Sequence, residues 1–316
     1  MIVGRLAPTP SGGLHLGNAR TFLVAWLSAR AAGGRVLLRI DDLDQARVKP
    51  GYVEQAIADL RWLGLDWDGE PLYQSRRSDA YVVALERLRA AGLAYPCYCS
   101  RREIELASQA PHAGDEGPAY PGTCRYKTHH ATDRKPVWRF ACSRGAPSPR
   151  NPDTPAERRG YSTSTPVEFD DAVHGRCAFE SDDFVIFRND GVAAYQLATV
   201  VDDHHQSVTE VVRGDDLLRS TARQVLLYHA LKLTPPRYLH VPLVLDDAGH
   251  RMAKRRDSTR LAALREAGVD AARVIGALAA SCGWAKPGEK LVPSELVARF
   301  DLAKLPHEPV RISIGA

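Results

Sequence analysis

The sequence predicts an α/β fold built on a parallel sheet, and two observations carry that prediction. Ile2 to Ala7 is an apolar strand-like run, followed by a Pro/Gly turn, an amphipathic stretch and a second apolar run from Val36 to Ile40. This is one βαβ unit, the building block of parallel sheets. Strand-like runs return at Phe184 to Phe187 and Val208 to Val212, and a helical stretch from about Ser220 to Leu231 follows them. Ligands of such sheets bind at the carboxyl ends of the strands, near helix N-termini.

The elements can be justified in order. The first strand leads into Pro8-Thr9-Pro10-Ser11-Gly12-Gly13, a turn. A helix is expected to start near Asn18, because Phe22, Leu23, Trp26 and Leu27 recur at helical spacing. Gly33-Gly34 supplies its stop. Two further amphipathic helices are expected. One carries Val53, Ile57 and Leu60; the other carries Val82, Leu85 and Leu88 and ends at Gly92. A cysteine-bearing segment runs from about Pro96 to Thr128. Residues 143–166 are rich in Pro, Ser, Arg and Gly without periodicity, which predicts a long loop. From Ser258 onward the chain reads as helical in pieces, notably Ala271 to Ala280 and Ser294 to Phe300. No internal repeat is present.

The composition excludes some classes. In 316 residues, 44% hydrophobic and 25% charged is an ordinary globular balance. No run reaches the roughly 18 apolar residues of a membrane span. Met1 leads directly into the first strand without a secretory pattern, so a cytoplasmic location is expected. A net charge of +4 is compatible with a nucleic-acid partner without pointing to one. Nothing indicates an obligate protein partner.

Three segments carry chemistry. In Pro8 to Asn18, glycines and prolines let the backbone approach a ligand, the following helix directs its N–H groups to the same place, and His15 can donate to a phosphate. Alone, this could be a surface turn. The second is Arg251-Met252-Ala253-Lys254-Arg255, after the apolar run Val241 to Leu245. A basic loop there can close over a triphosphate, with Lys254 on the leaving pyrophosphate. Alone, it could be a solvated basic loop. The third is Cys97-Tyr98-Cys99 with Cys124, whose three thiolates can hold a tetrahedral Zn²⁺ with one more ligand. Chemistry nominates His112, His129 or His130 for that place, and three buried free thiols are the bland alternative. Cys142, Cys177 and Cys282 are scattered and read as core residues.

Together these segments resemble the class I aminoacyl-tRNA synthetases. Pro8 to Asn18 is similar to their HIGH-type element, with Asn18 at the second histidine. Arg251 to Arg255 is similar to the KMSKS-type loop, with Ala253 and Arg255 in place of serines. Arg5-Leu6-Ala7-Pro8-Thr9-Pro10-Ser11-Gly12, Arg39-Ile40-Asp41-Asp42-Leu43-Asp44, Asp202-Asp203-His204 and Val208 to Leu217 resemble the glutamyl branch. The matching segments thus run from Ile2 to about Lys254. The resemblance implies a Rossmann-like catalytic domain in two halves, 1–95 and 185–257. Between them it implies an inserted zinc-bearing acceptor-type subdomain, 96–184, and after them a short helical tail, 258–316. It implies activation of L-glutamate with ATP and Mg²⁺. His15 and Lys254 would be catalytic, and His15, Gly17, Asn18 and Lys254 would contact ATP. Arg5, Leu6, Ala7, Pro8, Thr9, Asp41, Tyr195 and Arg213 would form the glutamate site. Arginine suits a side-chain carboxylate because its planar fork binds two oxygens. Asp41, where the family has glutamate, would face the substrate ammonium. The structural alternative pairs Arg213 with Asp215 or Asp216.

Glutamyl-tRNA synthetases continue into helical domains that grip the anticodon stem. Here about sixty residues follow Lys254, short for such a domain. The shortened branch with a Cys-x-Cys, tyrosine and cysteine cluster is the glutamyl-queuosine tRNA(Asp) synthetase family, which attaches glutamate to the queuosine base of tRNA(Asp). That resemblance makes Tyr120 the fourth ligand of one structural Zn²⁺ beside Cys97, Cys99 and Cys124. The expected partners are ATP, L-glutamate and queuosine-containing tRNA(Asp). Two rivals are a truncated glutamyl-tRNA synthetase charging a 3′ end and a catalytically silent paralogue binding tRNA or nucleotide. Intact His15, Lys254, Arg5 and Arg213 count against silence.

Overall fold

A computed structural model of the protein describes residues 1–107, 120–125, 133–142, 166–246, 249, 252 and 260–314, with backbone alone for 105–107. Lys254 with Arg251, Ala253 and Arg255, most of the Pro-rich stretch (143–165), and His112, His129 and His130 lie outside the described residues.

Strand β1 (Val3–Leu6) is buried along its whole length. Helix α1 (Leu16–Ala31) follows the turn, and β2 (Arg35–Ile40) returns parallel to β1, with Val3 opposite Arg35 and Leu6 opposite Leu38. The predicted βαβ unit is therefore present. Its helix begins at Leu16 rather than near Asn18, because the His15 imidazole caps it: Nδ1 accepts from the Asn18 N–H. Gly33, at φ 63°, ends the helix, and a Cβ on Gly34 would lie 2.2 Å from the Ile2 carbonyl oxygen. Glycine alone fits there. Ten of the sixteen residues of α1 are buried, as expected of a helix covered on more than one side. Leu23 and Leu27 are fully buried in the main core; Leu23→Ala there would cost about 2–5 kcal/mol.

Helix α2 (Tyr52–Trp62), strand β3 (Leu72–Tyr73), parallel to β2, and helix α3 (Ser78–Ala90) complete the first half. The buried face of α3 is Tyr81, Ala84, Leu85 and Leu88; Val82, read from the sequence as part of that face, is 43% exposed. Tyr81 takes its place in the i, i+3, i+4, i+7 stripe because its hydroxyl has a buried partner, donating to Asp202 at 2.7 Å.

Next come β4 (Ala94–Cys97), α4 (Arg101–Ala107), β5 (Val137–Phe140), β6 (Val167–Asp171), β7 (Gly175–Phe179) and β8 (Phe184–Phe187). Strands β4, β5 and β8 form an antiparallel sheet, and β6 and β7 an antiparallel pair. The second half holds α5 (Tyr195–His205), β9 (Glu210–Gly214), α6 (Leu218–Ala230) and β10 (Arg237–Val241). Strand β10 runs parallel to both β9 and β6, giving the order β7-β6-β10-β9. So β6 and β7, within the stretch 96–184, join the sheet of the second half, while β8 joins the sheet of β4 and β5. Short strands with non-local partners carry no mark in the sequence of which sheet they enter. The two parallel sheets meet at β1 and β9, where the Thr209 N–H donates to the Val3 carbonyl (2.9 Å) and the Val3 N–H to Thr209 Oγ1 (2.8 Å).

The C-terminal part packs into the main core. Strand β11 (Val244–Leu245), helices α7 (Leu261–Glu266), α8 (Ala271–Ala280) and α9 (Pro293–Leu296) and strand β12 (Val310–Arg311), parallel to β11, follow in order. Val274, Ile275, Leu278 and Trp284 share the core cluster of Leu23 and Leu27. Buried Arg20 of α1 ties the two parts, donating to the Pro242 carbonyl (2.7 Å) and to Ser281 Oγ (3.0 Å). Cys177 and Cys282 are buried as expected; Cys142 is half-buried, its Sγ 2.8 Å from the Asp182 carbonyl oxygen. Among the described residues no helix is long and apolar enough to cross a membrane.

Candidate active site

The site lies where β1, β2 and β9 end. The Asp41 N–H donates to the Pro8 carbonyl (3.0 Å), so the residues after β1 and after β2 are held together. A cavity of about 300 Å³ opens beside them, lined by Thr9, Ser11, Asp41, Gln74, Arg188 and Tyr195 among others. Thr9, Asp41 and Tyr195 thus share one cavity. Leu6 is fully buried in the core and Pro8 is buried, whereas Ala7 is partly exposed.

Arg5 and Arg213 are not among the residues lining this cavity. Arg5 Nη1 donates to the Val212 carbonyl (3.0 Å), and Nε is 3.4 Å from Asp203 Oδ1. Arg39, fully buried, bridges Asp203 and Asp41, with Nε 2.7 Å from Asp41 Oδ1 and Nη2 3.4 Å from Oδ2. Burial would lower the pKa of Arg39, but the two carboxylates hold it well above its ordinary value. Two arginines and two aspartates thus offset one another, and Arg39 fixes the orientation of Asp41.

Arg213 is different. It is 5% exposed. Its Nε donates to His240 Nε2 (3.1 Å), Nη1 to Gln224 Oε1 (2.8 Å) and Tyr195 Oη (3.2 Å), and Nη2 to Thr221 Oγ1 (2.7 Å). Among the described residues every acceptor is neutral. Neither Asp215 nor Asp216 is its partner, so the alternative of a structural ion pair is not what holds it. A buried cation without a carboxylate in contact is costly, and an anionic ligand would relieve that cost. Asp203, Arg39, Thr221, Gln224 and His240 received no role from the sequence. Two of them carried a signal: Arg39 and His240 each interrupt an apolar run inside a strand, and a polar residue in such a run is the informative kind.

At the start of α1, His15 and Asn18 form a reciprocal cap: the His15 N–H donates to Asn18 Oδ1 (3.2 Å) and the Asn18 N–H to His15 Nδ1 (3.3 Å). Asn18, where the synthetase pattern has a histidine, therefore has a helix-starting part. Gly17 leaves room for the imidazole, since a Cβ there would lie 3.0 Å from His15 Cε1 and Nδ1.

The cysteine cluster sits apart from this cavity, at the end of β4. The sulfurs of Cys97, Cys99 and Cys124 all lie within 4.8 Å of one another. Tyr120 Oη is 3.2 Å from Cys97 Sγ and 3.9 Å from Cys99 Sγ, and it accepts from the Cys124 N–H (2.8 Å). Burial pushes the Cys99 thiol up to about 12 and the Tyr120 phenol above its usual range. The three thiols can hold a metal ion.

Comparisons with known proteins identify the family. The model of the family described as tRNA synthetases class I (E and Q), catalytic domain, matches residues 1–306. The chain is 48% identical to the glutamyl-Q tRNA(Asp) synthetase of Symbiobacterium thermophilum, covering 99% of this chain and 96% of that one. It is 50% identical to the glutamyl-Q tRNA(Asp) synthetase of Nocardia farcinica, covering 97% and 91%. Among solved structures, the glutamate-tRNA synthetase of Elizabethkingia anophelis superposes with a TM-score of 0.78 at 27% identity, covering 99% of this chain and 68% of that one. Matched over nearly its whole length by these relatives, the chain belongs to the class I tRNA synthetases and, within them, to the glutamyl-Q tRNA(Asp) synthetase family.

Proposed function

We propose that the protein activates L-glutamate with ATP and Mg²⁺ without needing tRNA, and then transfers the glutamyl group to the queuosine base of tRNA(Asp). The observation that carries the amino-acid assignment is Arg213, buried with only neutral acceptors among the described residues. A glutamate side-chain carboxylate supplies the missing counter-charge; the amide of glutamine does not. Tyr195, 40% exposed and both lining the cavity and bonded to Arg213, links the two. Asp41, oriented by Arg39, receives the substrate ammonium. Arg5 with Asp203 shapes the pocket behind Leu6, Ala7, Pro8 and Thr9. The acceptor assignment rests on the names of the relatives matched over nearly their full length.

In the first step an α-carboxylate oxygen of glutamate attacks the α-phosphorus of ATP and pyrophosphate leaves. In the second, a hydroxyl of the queuosine ring attacks the adenylate carbonyl and AMP leaves. The protein contributes position and charge. His15 donates to phosphate from the start of α1, where Gly17 and Asn18 hold it, and Lys254 meets the leaving pyrophosphate.

Cys97, Cys99, Cys124 and Tyr120 are assigned to one structural Zn²⁺. A tetrahedron with Zn–S of about 2.3 Å has edges of about 3.8 Å, and Cys99 and Cys124 already stand 3.5 Å apart. The zinc would hold the end of β4, α4 and the Tyr120 turn together. A cytoplasmic setting, where thiols stay reduced, suits this set.

The test is incubation with labelled glutamate, ATP, Mg²⁺ and tRNA(Asp) from cells with and without queuosine. Label should appear only on the queuosine-containing tRNA, survive removal of the 3′ CCA end and map to the anticodon arm. Pyrophosphate should exchange into ATP with glutamate alone. Label on a 3′ adenosine would make the protein a tRNA-charging enzyme, and no exchange at all would make it a binder.

A further inference from the structure

We propose that Asp171 and His240 are a positioning pair, in which Asp171 selects the ring tautomer of His240 that presents Arg213 to the substrate side chain. The proposal rests on the reading that Arg213 binds the glutamate carboxylate.

The geometry comes from three adjacent strands. Asp171 ends β6, His240 lies on β10 and Arg213 on β9, and His240 and Arg213 are directly paired across the parallel ladder. The three side chains are almost wholly buried. Asp171 Oδ2 is 2.6 Å from His240 Nδ1 and accepts from the His240 N–H at 3.1 Å. Asp171 Oδ1 accepts from the N–H groups of Val173 and His174, each at 3.0 Å. On the other edge of the ring, His240 Nε2 meets Arg213 Nε at 3.1 Å.

The proton positions follow. Burial would raise the pKa of Asp171, but hydrogen bonds from His240 and the two backbone N–H groups outweigh it and keep the carboxyl below its usual range. Burial, with the Arg213 charge alongside, brings His240 down to about 4 despite Asp171. Near pH 7 the ring is neutral and carries one N–H. A guanidinium only donates, so Nε2 must be the lone-pair nitrogen and Nδ1 must carry the proton. The Asp171 carboxylate, which only accepts, imposes that choice. The Nε edge of Arg213 is fixed by His240 while Gln224 and Thr221 hold its Nη groups. The plane of the guanidinium is set without any carboxylate touching it, so its charge stays available to the ligand.

The experiment uses pyrophosphate exchange to measure KM for glutamate and for ATP, with melting temperature alongside. Asp171→Asn keeps Oδ1 on the Val173 and His174 N–H groups and turns an amide N–H toward His240 Nδ1. The ring must then carry its proton on Nε2, facing the Arg213 Nε–H donor, as in other tautomer-dependent sites. KM for glutamate should rise about tenfold to hundredfold, as when the outer partner of a ligand is lost, with KM for ATP unchanged. His240→Gln places an amide oxygen near the position of Nε2, where it accepts from Arg213 with no tautomer to select. It should stay close to wild type, and adding Asp171→Asn to it should change KM for glutamate little. His240→Phe, which offers no acceptor, should raise KM for glutamate; it serves as the test if Asp171→Asn does not fold. Two results would overturn the proposal: Asp171→Asn acting equally in both backgrounds, or Phe and Gln at 240 behaving alike. A parallel rise in both KM values would mark a merely structural pair. Arg213→Ala separates the premises: if it leaves KM for glutamate unchanged, the pocket reading itself fails, and if it raises KM while the Asp171 and His240 variants do not, only the positioning pair fails.

Discussion

His15 and Arg260 face each other in an isolated antiparallel bridge, reinforced by the Leu261 N–H donating to the Leu14 carbonyl at 2.9 Å. On the other side of the basic segment, buried Met252 donates to the Val244 carbonyl at 3.1 Å and belongs to the core cluster that includes Leu14 and Leu16. Arg260 and Val244, with the Met252 N–H on its carbonyl, thus both stand beside the start of α1, where a Cβ on Gly17 would lie 3.6 Å from Val244 Cβ.

The position of the His15 ring is testable through Gly17. In a helix, alanine is favoured over glycine by about 0.5–1 kcal/mol, so Gly17→Ala should leave the melting temperature unchanged or slightly raised. Its Cβ would lie 3.0 Å from two atoms of the imidazole, and the ring must give way. Pyrophosphate exchange should fall about tenfold to hundredfold, the usual effect of a small misplacement at a reacting centre. Full activity in a well-folded Gly17→Ala protein would remove His15 from the catalytic account.

Arg213→Ala should raise the barrier to glutamate activation by about 2–5 kcal/mol, if the arginine meets a buried carboxylate. Wild type should strongly prefer glutamate to glutamine, and the variant should lose most of that preference. Exchange rates with each amino acid at matched concentrations measure both. Equal activation of glutamate and glutamine by the wild type would refute the pocket assignment.

The legibility of these sites differs for physical reasons. The βαβ start was readable because apolar periodicity and glycine punctuation are local. His15, Asp41 and Arg213 were found through family-like segments, and the three clustered cysteines through spacing. What could not be read is pairing at long range. Asp203 binding both Arg5 and Arg39, and Asp171 reaching Arg213 through His240, join residues from 27 to 198 positions apart. No local pattern encodes such partners. The start of α1 was misplaced for a smaller reason, since an imidazole is not among the side chains usually counted as helix caps.

Asp59 of α2 offers a pH test outside the site. Its carboxylate is fully buried, and Arg265 Nη1 lies 3.1 Å away without forming a well-aligned hydrogen bond. Burial raises it to about 6 against the pull of Arg265. The folded state therefore binds this proton more tightly than the unfolded state, whose carboxyl titrates near the ordinary 3.8. Its contribution to stability is greatest below the ordinary value and declines as pH rises toward about 6. Asp59→Asn has no charge to bury, so its melting temperature relative to wild type should improve as pH rises from 4 to 7. A difference between the two proteins that does not change with pH would show that Asp59 does not titrate in this window.

The last prediction concerns the cysteine cluster. Freshly purified protein, never exposed to chelator, should contain about one zinc per chain, as a single four-ligand site implies. In the metal-free protein the Cys99 thiol stands near 12, so binding near neutral pH should release protons and weaken as the pH falls. Cys97→Ser or Cys124→Ser should lose the metal and lower the melting temperature. The effect should centre on the small sheet, because Cys97 ends β4, which pairs through β5 with β8. Adenylate formation should suffer less than folding, since the cluster does not line the cavity with Thr9, Asp41 and Tyr195. Tyr120→Phe decides the fourth ligand: a large loss of zinc affinity with the three cysteines intact assigns the phenol oxygen, and unchanged affinity gives that place to another group. Elemental analysis finding no zinc in untreated protein would end the metal assignment altogether.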